Sequence, residues 1–548
     1  MTSEDRDAVP STAPPAQGEP LSAATPAAPS RRSRLLWGVA IVGFWLLVLT
    51  GAILIGAALW VLRTFGPLSV DQLLMNIPGG EGAGGDGLVR GAVVSILLIP
   101  AGIVLVLALL CEKSRRELRR GGVLRPRCRR VLLRGIAAVL AVVVPVGGAV
   151  AFGSTIGAGA YLQSYAREAS GEATLADYYV VPRYGMAANT QGGPGMRSDP
   201  SGASERRNLV VIYLESVEDS FSDDRTFEKN MLEPVQQATA GWDSIPSFRQ
   251  YDGGGWTMSG IVSTQCGIPL RTAGSLADAT TLNSIGADGA TPESYLPGAT
   301  CLGDVLAREG YRNVFMGGAD ASFAGKGSFL ETHGYDEVHD LREWRELGET
   351  EVRDDWGLSD RRLFERAREE VTRLHEQEQP FNLTMLTLDT HEGPRVYEYC
   401  DWDTEVAMTS ITSCSMQQVA GFVDYLDETG VLEDTTVVLM GDHLKMIAEG
   451  GSFWEELKDR EDRTIFNRIR TPEGVEIVRD DIDQFSMYPT LIELAGIELE
   501  DHRAGVGVSA LAGPEDVPPG TILDLDAQEY RALVKSRAAE FYRELWGE

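Results

Sequence analysis

A chain of 548 residues is long enough for several domains, and its formal net charge of −31 is unevenly spread along it. Residues 1–160 carry 16 Lys/Arg against 9 Asp/Glu, whereas residues 161–548 carry 33 against 71. That asymmetry excludes one uniform soluble globule and divides the chain into two chemically different parts.

The first 30 residues are Pro, Ala, Ser and Thr with scattered charge, too apolar-poor to nucleate a core, and residues 1–34 read as a disordered tail. An apolar run from Leu35 to Leu62 follows Arg31, Arg32 and Arg34 and is too long for the apolar region of a signal peptide. Further runs between Gly91 and Cys111 and between Val131 and Phe152 are each near the ~20 residues that a bilayer needs. Residues 35–157 therefore read as three transmembrane helices. The segment between the second and third is dense in arginine (Arg115, Arg116, Arg119, Arg120, Arg125, Arg127, Arg129, Arg130), while the loop from Arg63 to Arg90 is Gly-rich and nearly neutral. Short cytoplasmic loops concentrate Arg and Lys, so the N-terminus and the Arg-rich loop face the cytoplasm, and everything after the third span lies outside a plasma membrane. The same rule accounts for the arginine cluster without invoking nucleic acid.

Cys111 and Cys128 fall near the inner face, whereas Cys266, Cys301, Cys400 and Cys414 fall in the outer part, where disulfides persist. Four cysteines allow three pairings. The short separation of Cys400 and Cys414 favours that pair and leaves Cys266 with Cys301; a zinc site is the competing reading, against which stands the lack of CxxC spacing.

Residues 158–207 begin with a short helical pattern and continue with Asn, Gly, Pro and Ser, as a connector does. From residue 208 to 548 the pattern is that of an α/β domain with a mostly parallel sheet flanked by helices. Leu209–Leu214 is a continuous β-branched apolar run, expected of a strand buried on both faces. Asn313–Met316, Leu383–Leu388 and Thr436–Met440 are similar, and amphipathic helices are expected at Arg361–Gln377 and Ser415–Glu428. Ligands of such sheets gather beyond the carboxyl ends of the strands, where this chain places Glu215, Asp389-Thr390-His391 and Asp442-His443. A glycine turn, Gly253-Gly254-Gly255-Trp256, then delivers the hydroxyl of Thr257 to a helix start, where unpaired N–H groups and the dipole favour a bound oxyanion. Taken alone, Thr257 reads as a helix N-cap after a Gly turn before it reads as catalytic, while for Asp442 an N-cap in a turn is the lesser alternative.

The set Leu214-Glu215-Ser216, Gly255-Trp256-Thr257 with Gln265-Cys266-Gly267-Ile268-Pro269-Leu270, Gly325-Lys326, His333-Gly334-Tyr335-Asp336, Asp355-Trp356-Gly357, Asp389-Thr390-His391 and Gly441-Asp442-His443 resembles the membrane-anchored phosphoglycerol transferases of the alkaline phosphatase and sulfatase superfamily. The likeness runs from about Asn208 to Leu511 and is nearest to the enzymes that act on periplasmic glucans, with lipoteichoic acid synthases more distant. It implies Thr257 as nucleophile and Glu215, Thr257, Asp442 and His443 as ligands of one divalent metal, Mn²⁺ or Mg²⁺. It further implies a substrate-contacting and proton-carrying His391, and substrate contacts at Lys326, Trp256 and Trp356. A free threonine hydroxyl is a poor nucleophile that a metal would activate, and three oxygen ligands with one imidazole suit a fairly hard cation. The implied reaction moves phosphoglycerol from phosphatidylglycerol to an envelope glycan or glycolipid, through a phosphoglycerol-threonine intermediate, with release of diacylglycerol. Ala324 replaces the Trp that the polymer-building relatives carry two residues before Lys326, which leans away from polyglycerolphosphate synthesis. A membrane-bound sulfatase or phosphodiesterase is the other alternative. Sulfatases oxidise a Cys or Ser in a Cys-x-Pro-x-Arg context, whereas Cys266-Gly267-Ile268-Pro269 has one residue too many before the proline.

Overall fold

The computed structural model describes residues 31–75, 90–119, 126–184, 207–271, 294–353 and 356–547. The expected N-terminal tail before Arg31, Asp355, and the side chain of Cys128 lie outside the described residues. Among those described, three helices are long and apolar enough to cross a membrane: α1 (Arg31–Thr64), α3 (Ile99–Arg119, continuing a π-helical turn at Val93–Leu98) and α4 (Pro126–Thr155). The short α2 (Val70–Met75) follows α1, and α5 (Ala158–Ser170) follows α4 across a left-handed Gly157.

The sheet at the centre of the second part has six strands among the described residues. In chain order they are β1 (Asn208–Leu214), β2 (Arg312–Gly317), β3 (Glu337–His339), β4 (Phe381–Leu386), β5 (Thr435–Gly441) and β6 (Asn467–Arg470). Their spatial order is β3-β2-β4-β1-β5-β6, and every pairing is parallel except β5 with β6. The unbroken apolar composition of β1 follows from its central position. Leu209, Val211 and Tyr213 enter one core, Val210, Ile212 and Leu214 the other, and all six are fully buried.

The first core is closed by α6 (Thr257–Cys266) and α10 (Gln484–Leu494), the second by α8 (Asp360–His375) and α9 (Ala407–Glu428). Helix α9 begins eight residues before the expected Ser415, because its first two turns carry the Thr and Ser of a buried polar face rather than an apolar stripe. Both sheet edges carry charge. Glu337 on β3 is held by Arg312 and Arg373, and Arg468 and Arg470 stand on β6.

The chain joins this body before Asn208. Leu175 is fully buried in the first core, Val180 bridges to Gly505 and Tyr184 to Leu499. Cys266 is bonded to Cys301 and Cys400 to Cys414, and the first of these ties the C-terminal end of α6 to the start of α7 (Leu302–Arg308), which leads into β2. Loop closure over 35 and 14 residues accounts for about 4 and about 3 kcal/mol of unfolded-state entropy respectively. Replacing Cys266 and Cys301 together by Ala is expected to lower the urea midpoint substantially, with reductant giving no further change at that pair; equal midpoints would show that the bond contributes nothing.

Candidate active site

Three side chains meet beyond the carboxyl ends of β1 and β5. One ligand atom each from Glu215, Asp442 and His443 lies within 4.8 Å of the others, and all three residues are buried. The Nε2 atom of His443 is 3.5 Å from Asp442 Oδ2 and 3.8 Å from Glu215 Oε1. Its Nδ1 donates to the Leu444 carbonyl at 2.8 Å, which fixes the proton on Nδ1 and leaves the Nε2 lone pair facing two carboxylates. Asp442 Oδ1 accepts from the backbone N–H groups of Ser216 and His443, both at 2.8 Å, while its buried Oδ2 has no hydrogen-bond partner. Burial, and then the negative charge of Glu215, push Asp442 up to about 7. Burial acts upward on Glu215 too, but His443, His391, the Ser216 hydroxyl and Lys445 together hold it down at about 2. Lone pairs directed at one buried point repel unless a cation sits between them, so this donor set fits a divalent metal.

Thr257 is the first residue of α6 and is half-buried; its Oγ donates to Glu215 Oε2 at 3.2 Å. The close seating of α6 explains that reach. A Cβ on Gly260, one turn along the helix, would stand 2.1 Å from the Asp442 carbonyl oxygen, so only glycine lets the helix lie against the end of β5. Gln484, buried at the start of α10, fastens the same contact: its Nε2 donates to the Asp442 carbonyl at 2.9 Å and its Oε1 accepts from the Tyr251 N–H at 3.3 Å. Ser216 holds a left-handed backbone with φ 57°, a strained conformation for a residue with a Cβ, and it turns the chain so that its N–H meets Asp442.

The remaining sequence candidates are placed as follows. His391 stacks against Trp356 with ring centroids 4.0 Å apart, and Phe323 closes on the other side of Trp356 at 5.7 Å. Its Nδ1 donates to the Glu392 carbonyl at 3.1 Å, and burial pulls the imidazole below its ordinary value. Lys326 is buried; its Nζ lies 5.8 Å over the Phe315 ring, burial depresses its pKa, and Asp340, Asp320, Glu215 and Asp442 are the charges that oppose this. Trp256 is buried and extended just before α6. Asp389 departs from the expected convergence. It accepts from Tyr397 at 3.0 Å and from the Asp360 N–H at 3.0 Å, and thus anchors α8 instead of joining the metal-ligating group.

A family model described as Sulfatase matches residues 207–497, more than half of the chain. The chain belongs to the sulfatase family. Its sheet is the alkaline phosphatase-like α/β arrangement, mostly parallel and flanked by helices. Curated relatives include "Phosphoglycerol transferase I" of Xanthomonas campestris pv. campestris (strain B100), 33% identical over 350 residues that cover 62% of this chain and 47% of that protein. The Escherichia coli (strain 55989 / EAEC) protein of the same description is 30% identical over 318 residues, covering 56% of this chain and 39% of the relative. The matched region is therefore less than half the length of either relative. Among solved structures, the lipoteichoic acid synthase LtaP from Listeria monocytogenes superposes with a TM-score of 0.45 at 18% identity, covering 57% of this chain and 76% of that one.

Two other groups of metal-binding residue types occur among the described residues of this sulfatase-family chain. Cys266, Cys301 and His333 lie together, but the cysteines are joined in a disulfide, and His333 is engaged by Asp304 and the Tyr295 carbonyl. Glu337, His339 and Glu370 are half-buried, and Arg312 and Arg373 neutralise the two glutamates.

Sequence reading missed Lys445 and Gln484. Lys445 is buried, with Nζ 3.0 Å from both the Thr390 carbonyl and Glu392 Oε2, and its charge reaches Glu215. A lone lysine in a loop carries no sequence signal of burial; its place three residues after Asp442 was the available hint. The Gly260 contact yields a direct test: Gly260→Ala is expected to cost about 1–3 kcal/mol in chemical denaturation as the helix is forced off β5. Full wild-type stability would mean that the helix seats elsewhere.

Proposed function

We propose that the protein transfers phosphoglycerol from phosphatidylglycerol to an envelope glycan or glycolipid, in a metal-dependent reaction through a covalent ester on Thr257. The observation that carries this reading is the Thr257 hydroxyl at a helix start, bonded to Glu215 beside a buried set of converging lone pairs. The description of the relatives as phosphoglycerol transferases supports the same chemistry.

Glu215, Asp442 and His443, with Thr257 as fourth ligand, would hold one divalent ion, Mn²⁺ or Mg²⁺. Such an ion lowers the pKa of the threonine hydroxyl and offsets the charge of the phosphoryl oxygens it must approach. Thr257 Oγ attacks phosphorus and its proton passes towards Glu215 Oε2. The bond from phosphorus to the diacylglycerol oxygen breaks, and the doubly protonated form of His391 gives that oxygen a proton from Nε2 while Nδ1 stays on the Glu392 carbonyl. In the second half-reaction an acceptor hydroxyl attacks phosphorus, the bond from phosphorus to Thr257 Oγ breaks, His391 regains a proton from that hydroxyl, and Thr257 Oγ takes back the proton held at Glu215. The aromatic corner of Trp356 and Phe323 and the buried amine of Lys326 would orient the phosphoglycerol, and Trp256 would back the nucleophile. In this reading the three apolar helices anchor the chain and the arginine-rich loop faces the cytoplasm, so that the site lies outside a plasma membrane spanned three times, with the lipid donor in the adjoining leaflet.

Against a sulfatase mechanism through an oxidised cysteine stands the position of Cys266. Cys266 sits at the far end of α6 from Thr257 and is bonded to Cys301. Labelled phosphatidylglycerol in vesicles should yield diacylglycerol, a chelator should stop this and Mn²⁺ restore it, and Thr257→Ala should release at least ~10³-fold less. Wild-type release by Thr257→Ala would remove the nucleophile assignment. Glycans from a deletion strain should lose isolated glycerophosphate groups by ³¹P NMR; loss of a polymer ladder would instead identify a polyglycerolphosphate synthase.

A further inference from the structure

His391 is flanked in the chain by two residues that reach the same cation. The Thr390 carbonyl and Glu392 Oε2 each lie 3.0 Å from Lys445 Nζ, and the Lys445 side chain is only 2% exposed. This lysine belongs to the loop that carries Asp442 and His443. Its backbone is fixed on both sides: the N–H donates to Glu218 Oε2 at 3.1 Å, the carbonyl accepts from Arg463, and the fully buried Glu218 pairs with the same Arg463. The other oxygen of the Glu392 carboxylate accepts from the Ser452 N–H at 3.2 Å and from its hydroxyl at 3.0 Å.

An ammonium has three donors, and three acceptors lie within reach of this one: the Thr390 carbonyl, Glu392 Oε2 and, at 3.9 Å, Met408 Sδ. With its donors taken up and its side chain out of solvent, Lys445 is not placed to grip a phosphate. A buried charge without its partners is costly, so the segment 390–392 is drawn to the ammonium. The consequence falls on His391. Its Nδ1 bond to the Glu392 carbonyl, at 3.1 Å, fixes the imidazole to its own segment and not to Thr257. That segment is fixed to the reacting groups through the Thr390 hydroxyl, which donates to the Glu215 carbonyl, and through Lys445.

We propose that Lys445 is a positioning residue for proton transfer by His391: its ammonium registers the imidazole segment against the loop of Asp442 and His443, so that Nε2 faces the oxygen that leaves phosphorus. The proposal rests on the phosphoglycerol-transfer reading and adds what places the acid of that reaction. The dependent step is the one in which the bond from phosphorus to the diacylglycerol oxygen breaks and that oxygen takes the Nε2 proton. A misplacement of about 1 Å there costs on the order of 10²-fold in rate.

The test uses the full chain in phosphatidylcholine nanodiscs with Mn²⁺, in excess over donor, and reads a single turnover on two donors with the same transferable group. Phosphatidylglycerol expels an alkoxide, which needs the proton; glycerol 4-nitrophenyl phosphate expels a phenolate, which does not. Lys445→Met should lower the ratio of the diacylglycerol rate to the 4-nitrophenol rate about 30-fold. In a His391→Ala background it should lower that ratio no further. Glu392→Gln, at a side chain 43% exposed, should lower the ratio about threefold and carries the test where Lys445→Met does not fold. Independently of turnover, carbethoxylation of His391 by diethyl pyrocarbonate, mapped by mass spectrometry, should quicken about fivefold in Lys445→Met as the segment loosens. His375 and His502, paired elsewhere with Asp434 and Glu493, should keep their wild-type rates. An unchanged ratio, a ratio that falls as far without His391 as with it, or an unchanged carbethoxylation rate overturns the positioning role. Wild type that releases no diacylglycerol discards the transfer reading, and the carbethoxylation rate then decides whether Lys445 places the imidazole.

Discussion

The approach of one helix to the end of one strand sets the geometry of everything that can react in this protein. Helix α6 must touch the Asp442 carbonyl for Thr257 to reach Glu215, and the missing side chain of Gly260 creates the room. Such closeness would leave a buried carbonyl unsatisfied if the helix alone covered it, an omission that costs about 1–3 kcal/mol. Gln484 removes that cost and binds the turn before Thr257 in the same gesture. Thr257, the two carboxylates and the glycine turn are therefore tied into one unit, although Glu215 and Asp442 lie more than 200 residues apart.

Electrostatics in that unit is arranged against itself. Two carboxylates and an imidazole lone pair point at a common centre, Asp442 keeps an oxygen with no partner, and its proton affinity rises accordingly. Nearby positive groups, Lys445 and Lys326, are buried as well, and their charges act on Glu215 and against the carboxylates' repulsion without removing it. The Ser216 backbone stores some of the strain by which this arrangement is held.

Burial on both faces favours unbroken apolar runs, which made β1 and the middles of β2 and β5 legible, whereas β4 buries Asn382 and Thr384 between its apolar residues and starts two residues before the expected Leu383. Strand β3 was not legible, being three residues with a Glu and a His, nor was β6, whose Arg468 and Arg470 alternate with buried positions. The residues at the strand ends could be read as a set, since each follows an apolar run directly. Lys445 and Gln484 could not, because what makes them part of the site is contact across the fold and no local pattern. Asp389 shows the opposite case: position at a strand end grouped it with the converging residues, yet its carboxylate is satisfied by the start of α8 and by Tyr397. Helix α9 extended past its expected start for a related reason, its first turns being buried through hydroxyls.

The charged borders of the sheet have a consequence for how copies of the chain behave together. A protein confined to a membrane surface meets its neighbours far more often than one free in solution, and open strand edges invite sheet-to-sheet annealing under such crowding. Strand β3 is very short and its Glu337 is clasped by two arginines, while β6 runs antiparallel and presents arginines of its own. Adding a further strand at either border would bury those ions, so lateral density in the bilayer can rise without the sheets of adjacent molecules fusing.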